Sequence, residues 1–286
     1  MITDKTQVQQ VLQRLEAGEI VVPAAPVVLC KLRTAVSSPS VNVAQMATLV
    51  AQDQRLASEV LRLANTAQYA RGGRISDLPA AVSRIGFRQI HQIVETVLLR
   101  SAFDVNRPFT LDCLNNIWRR SVATALASRA LAAALPPTSR VDPNLAYLSG
   151  LFCDVGASFL LSLLDADEEA LFCEEAVIQQ TLGLHHQAAG KRILEVWDME
   201  PVVQMAAASH HHDPKQLTGP GLYKAIVGVG SAVADLLQLP PDVTAAKPMH
   251  ETELRALMLA LRVASSQLPK FAEAIKPEYD AITCVN

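Results

Sequence analysis

The sequence predicts an all-α protein organised as two helical subdomains, and three observations carry that prediction. Apolar residues recur at helical spacing along most of the chain, and no segment shows the period-two alternation of a half-buried strand. Hydrophobic residues make up 50% of the sequence but aromatic residues only 5%. Ala, Leu and Val therefore carry the core, and Ala and Leu lose little conformational freedom on entering a helix. Capping residues and prolines fall where the apolar stripes begin, and glycines fall where they end.

Helices are expected near 4–17, 26–36, 43–52, 54–66, 78–85 and 87–102. Pro23 and Pro26 punctuate the start of the second. Asn42 and Asp77 read as N-caps, with Pro79 in the first turn, where its missing N–H costs nothing. Gly18, Gly86 and Gly183 read as helix stops. Within 87–102, the residues Ile90, Ile93, Val94, Val97, Leu98 and Ser101 define one buried face, which leaves His91 on the solvent side. Further helices are expected near 112–134, 143–154, 157–164, 167–181, 185–197, 201–211, 220–238 and 250–266. The polar segment 104–110, DVNRPFT, is the best place to divide the chain. The expected organisation is an N-terminal helix in 1–19, one bundle in 20–104, a second in 110–240 and a C-terminal helical appendage in 241–286.

Composition excludes several function classes. The formal net charge of −3 supplies no basic field for nucleic acid or anionic lipid. The five cysteines are odd in number and scattered, with no CxxC pair, which disfavours a disulfide framework and fits a reducing cytosol. MITDKTQVQQ lacks the basic-then-apolar pattern of a signal peptide. Residues 145–164 are long and apolar enough to span a bilayer, but Asp154 would sit in mid-membrane at a cost of roughly 2.5–3.5 kcal/mol. The stretch reads instead as a buried pair of short helices broken near Gly156, in a soluble, cytoplasmic chain.

The chemistry-bearing residues are unevenly placed. Five of the seven histidines fall in two clusters, His185-His186 and His210-His211-His212. Asp154 lies in the apolar stretch YLSGLFCDVG, directly after Cys153. Imidazole and carboxylate together are the donors of a hard-to-borderline metal site. No GxSxG, Walker A, GxGxxG or HExxH motif accompanies them. Trp118 and Trp197 sit on amphipathic helices and read as core. Residues 43–70 could form a helix-turn-helix, yet Arg55 and Arg62 are opposed by Asp53 and Glu59, too little positive charge for a phosphate footprint. Arg71, Arg74, Arg84 and Arg88 make a looser basic cluster that reads as surface or a contact face.

Several of these segments recur together in one family. The Pro23 to Pro26 entry, Asp53 to Leu56, LRLANTAQY from Leu61 to Tyr69, and Ala81 to Gly86 resemble the N-terminal half of the HDOD family. The resemblance continues through IWRRS, YLSGLFCDVG, LGLHHQAAGKRILEVW and SHHHDP, over roughly residues 20–238. It implies an HDOD N-terminal bundle packed on an HD-like bundle related to metal-dependent phosphohydrolases. Matched residue by residue, the first His of the active HD pattern falls at Arg120 and the His of the His-Asp dipeptide at Cys153. The Asp is kept as Asp154, His186 is kept, His211 and His212 fill the His-His corner, and the terminal Asp falls at Ser231, with Asp235 one turn further on. A guanidinium has no lone pair to give a metal, and a thiolate is a poor exchange in a site of oxygen and nitrogen donors.

The resemblance therefore implies a degenerate HD site with no catalytic residue and no expected cofactor. Any metal would fall to Asp154, His186, His211 and His212, and Arg120 could pair with Asp154 in the former metal volume. The function expected is a non-catalytic regulatory protein of bacterial signal transduction. It would act through contacts with other signalling proteins, with a second-messenger or anion ligand left open and no membrane partner. A metal-dependent phosphohydrolase with a divergent site is the enzymatic alternative, and a DNA-binding regulator acting through residues 43–70 is the second.

Overall fold

The computed structural model describes residues 13–14, 17, 19–36, 41–69, 73–167, 175–209, 220–237, 239 and 251–283. Among these residues every regular element is a helix. The chain divides into two compact units. The first comprises residues 25–102 and 276–286, the second residues 103–275 with 1–24. The segment 241–286, an appendage in the sequence reading, thus contributes to both.

The first unit opens with α1 (Val27–Val36), α2 (Val43–Val50) and α3 (Gln54–Ala64), followed by α4 (Leu78–Ile85) and α5 (Phe87–Arg100). Local chemistry sets the boundaries. Asn42 and Gln45 form a reciprocal capping box at the start of α2, with both bonds at 3.0 Å. Asp53 Oδ1 accepts from the N–H groups of Arg55 and Leu56 at the start of α3, and Asp77 Oδ1 accepts from Ala80 N at 2.9 Å at the start of α4. Each such cap is worth about 1 kcal/mol. Gly86 ends α4 with φ +88°, a conformation that side-chain-bearing residues rarely adopt. The interior is built from Met46, Val50, Leu56, Val60, Leu63 and Val82, all fully or nearly fully buried.

One helix of this unit differs from expectation. On α5 the buried set includes Gln92, Glu95 and Thr96 as well as the apolar face. His91 is not on the solvent side: its Nδ1 lies 3.3 Å from Oε2 of Glu95, which is fully buried. A helix covered on more than one side buries polar residues that a single-stripe reading assigns to water.

The second unit is organised around α6 (Pro108–Ala134), against which α7 (Pro143–Leu151) and α11 (Pro220–Asp235) pack. α8 (Val155–Ala166) pairs with α9 (Glu175–Val196), which packs in turn on α10 (Pro201–Ser209). α12 (Glu251–Leu261) lies on α11, and α13 (Leu268–Thr283) ends the described chain. The apolar stretch at 145–164 is two helices broken at 152–154, slightly before Gly156. Its most apolar window is 89% buried, so its hydropathy is spent inside the fold. Trp197 stacks on Phe103 at 6.2 Å, meets Phe152 edge-on at 6.1 Å and donates Nε1–H to the Pro23 carbonyl at 2.8 Å.

One expectation fails here. Gly183 does not stop a helix; α9 runs through it from Glu175 to Val196. An interior glycine costs about 1 kcal/mol relative to Ala, and burial of Leu182, His186 and Ala189 around it outweighs that. α13 lies in the segment expected to be helical and carries Pro277 in its interior, a residue that ordinarily breaks a helix. Ala272, Ile275, Tyr279 and Ile282 nevertheless form a buried stripe at helical spacing.

Candidate functional site

The second unit brings Arg120, Cys153, Asp154 and His186 into its interior, with 5%, 2%, 6% and 1% of their surfaces exposed. Two close backbone approaches place them. A Cβ at Gly156 would lie 2.0 Å from the His186 carbonyl oxygen and 2.3 Å from Gly190 N, so α8 and α9 meet backbone to backbone there. Cβ atoms at Gly150 and at Gly230 would both collide with α6 around Thr124, at 2.8 Å and 3.2 Å from its carbonyl oxygen. Glycine is the residue that permits such contact.

Asp154 stands at the N-cap of α8 but its side chain makes no capping bond. Oδ2 instead lies 3.4 Å from the thiol sulfur of Cys153, and Oδ1 lies 3.7 Å from Nε2 of His186. His186 Nδ1 is 2.7 Å from the Leu182 carbonyl, one turn earlier on α9. Since a carbonyl only accepts, Nδ1 carries the proton, and Nε2 is the nitrogen turned toward Asp154. Cys153 packs with Ala206 of α10 and Val227 of α11, and its sulfur is 3.2 Å from the Gly150 carbonyl.

Arg120, on α6, reaches α11. Its Nη2 donates to Asp235 Oδ1 at 2.8 Å, and the Arg120 side chain is 6% exposed against 60% for Asp235. An ion pair of Arg120 thus runs to Asp235 on α11. Ser231, half buried, lies one turn before Asp235 on the same helix. Asp235 was legible as the residue four positions beyond Ser231, although its role as the arginine's counter-ion was not. His185 is half buried beside His186. His210, His211 and His212 lie outside the described residues, and among the described residues no three His, Cys, Asp or Glu side chains gather as a metal site.

A buried carboxylate lies at the opposite end of α8 from Asp154. Asp165, at the end of α8, accepts from Asn106 N at 2.6 Å, Arg107 Nε at 2.9 Å and Thr110 Oγ1 at 2.5 Å. Burial pushes its pKa up, but these hydrogen bonds, the Thr110 hydroxyl first, hold it below the ordinary carboxylate value. This network ties the end of α8 to the start of α6. The signal for it was an acid closing an apolar run.

Among solved structures, the chain resembles one provisionally named a metal-dependent phosphohydrolase from Shewanella amazonensis SB2B. The TM-score is 0.73 at 20% identity, covering 99% of both chains. It also resembles a provisionally named signal transduction protein from Marinobacter aquaeolei VT8, with TM-score 0.67 at 20% identity over 98% of this chain and 64% of that one. A third is an HDOD domain protein of unknown function from Geobacter sulfurreducens, with TM-score 0.67 at 18% identity over 97% and 96%. At these identities the likeness is one of fold. An uncharacterised protein of Treponema pallidum (strain Nichols) is 23% identical over 91% of the chain, which spans 50% of that relative's length. The HDOD domain model matches residues 22–214, well over half of the sequence, and this chain belongs to the HDOD domain family.

Proposed function

We propose that this chain is a non-catalytic regulatory protein of bacterial signal transduction that works by binding other signalling proteins. The observation that carries the reading is Arg120: a buried guanidinium, paired with Asp235, at the position that matches the first metal-binding His of HD enzymes. It cannot ligate an ion. A divalent cation within about 5 Å of it would be repelled by about 7 kcal/mol at an effective dielectric of 20, before Asp235 offsets part of that. Cys153, packed against Ala206 and Val227, further removes a nitrogen donor from the set. Arg120 and Cys153 both weigh against a two-metal hydrolytic centre.

The test is metal content of the purified chain after loading with Mn²⁺, Fe²⁺ or Zn²⁺, together with turnover of a generic phosphodiester. The expected result is no stoichiometric ion and no turnover. An ion retained by the unaltered chain and lost in Asp154→Ala, or hydrolysis abolished by that change, would overturn the reading.

One observation favours the enzymatic alternative, a divergent metal-dependent phosphohydrolase. His186, with Nδ1 held by a backbone carbonyl and Nε2 turned to Asp154, has the orientation of a ligating histidine. Metal binding gained in Arg120→His/Cys153→His but absent from the parent chain would assign that pair to an inherited scaffold.

A further inference from the structure

A second concave site lies in the first unit, apart from Asp154 and His186. It is a groove of about 880 Å³ between α3 and the loop that leads into α4, within the range of sites for small organic ligands. Arg62, Arg74 and Arg84 line it with Ser58 and Ser76, and no acidic residue is among its lining side chains. Leu61 and Ile75 supply an apolar wall.

The three arginines differ in what they have left to offer. Arg62 is ion-paired with Glu59 on its own helix, so its charge is compensated. Arg84 donates Nη1 to the Ala64 carbonyl at 3.3 Å and Nη2 to the Gly73 carbonyl at 2.9 Å. Those partners are neutral, so the guanidinium keeps its full charge and more than half of its five N–H donors. Arg74 follows Gly73 directly, is exposed and has no carboxylate partner among the described residues. Two uncompensated guanidinium groups thus share one mouth of the groove. The nearby Asp77 is engaged in capping α4 at Ala80 N.

Residues 73–75 are held against the end of α3. Asn65 closes a two-way amide pair with Ile75: Nδ2 donates to the Ile75 carbonyl and Oδ1 accepts from Ile75 N, both at 2.8 Å, while Nδ2 also meets the Leu61 carbonyl at 2.8 Å. Asn65 and Arg84 together fix residues 73–75 against the end of α3. A fixed loop with hydroxyls and guanidinium donors around a concavity is preorganised for an oxyanion, because the ordering cost is already met in the free protein.

We propose that this groove binds a small phosphorylated ligand of nucleotide size. The phosphoryl oxygens take Arg74 and Arg84, with Ser76 at the same mouth, and the remainder of the ligand lies along Leu61 and Ile75. The planar, permanently charged guanidinium suits a phosphoryl group better than an ammonium would.

Calorimetric titration of the full chain tests it with three probes: inorganic pyrophosphate, guanosine diphosphate and uncharged guanosine. Saturable binding is expected for the first two and none for guanosine, and affinity should fall as salt rises. Arg74→Ala, at an exposed side chain, should leave the fold intact and weaken pyrophosphate binding about tenfold, or 1.4 kcal/mol; Arg74→Glu should abolish it. Arg84→Lys keeps the charge but loses the planar clamp and should weaken binding at least as much. Asp154→Ala should change nothing, which separates this site from the one in the second unit. No saturable pyrophosphate binding, or binding indifferent to Arg74→Glu, would overturn the proposal. So would Arg74-dependent binding of duplex DNA in place of the nucleotide, which would make the face a nucleic-acid surface.

Discussion

Replacing Gly156 with alanine tests whether the meeting of α8 and α9 sets the candidate site. The new methyl group would fall 2.0 Å from the His186 carbonyl oxygen and 2.3 Å from Gly190 N. Both obstacles are backbone, so no rotamer change relieves them, and the helices must part by more than about 1 Å to reach ordinary contact distance. Overpacking of this kind costs about 1–3 kcal/mol, sometimes more. The better helix propensity of alanine returns at most about 1 kcal/mol. The net expectation is a loss of about 2 kcal/mol and an Asp154–His186 separation beyond the present 3.7 Å. Urea unfolding followed by tryptophan fluorescence reads it directly, since Trp118 and Trp197 both belong to the second unit. The midpoint should fall by roughly 1 M. Gly190→Ala, on the facing helix, is the control: a Cβ there comes no nearer than 3.4 Å to any neighbour, and the midpoint should not fall. A Gly156→Ala protein as stable as its parent would refute the close-approach argument.

Two other outcomes follow from buried groups. Because Asp165 titrates below its ordinary value of 3.8 in the folded chain, its stabilisation is fully present above that pH and is lost as pH falls through the depressed folded value. Asp165→Asn should therefore cost about 2 kcal/mol near neutrality, with the difference from the parent shrinking below about pH 4; an equal gap at neutral and acidic pH would contradict the assignment. Burial first, then Glu175 and Asp112, raises the Cys113 thiol to about 11. Peptide mapping after iodoacetamide treatment should thus find exposed Cys30 alkylated before buried Cys113 and Cys153, which react on unfolding. Native labelling of Cys113 at the rate of Cys30 would contradict its burial.

What the sequence made legible were features governed by neighbouring residues. Asn42 and Asp77 begin helices because a short polar side chain reaches an N–H three positions on, and Gly86 ends one because its φ is positive. Gly183 reads as a stop and is not one, because tertiary burial carries a helix through a residue whose local preference is against it, as it carries α13 through Pro277. The same limit applies to the site. Asp154 and His186 could be matched to a family pattern, but the ion pair of Arg120 with Asp235 depends on how α11 lies against α6, and no local rule contains that. His91 and Glu95 show the limit from the other side, since a single hydrophobic stripe cannot register a helix covered on more than one face.

The division of α13 has a consequence for the order in which the protein assembles. Tyr279 and Ile282 are buried in the unit that begins at residue 25, and the Ala281 carbonyl accepts a hydrogen bond from Arg62 of α3. About 170 residues of chain separate these partners from the rest of their unit, and closing so long a loop is entropically slow. On the ribosome, helices α1 to α5 emerge early yet wait for the last turns of α13 before their interior is sealed. A nick or premature stop near residue 276 would then be felt most by helices that lie far upstream of it in the chain.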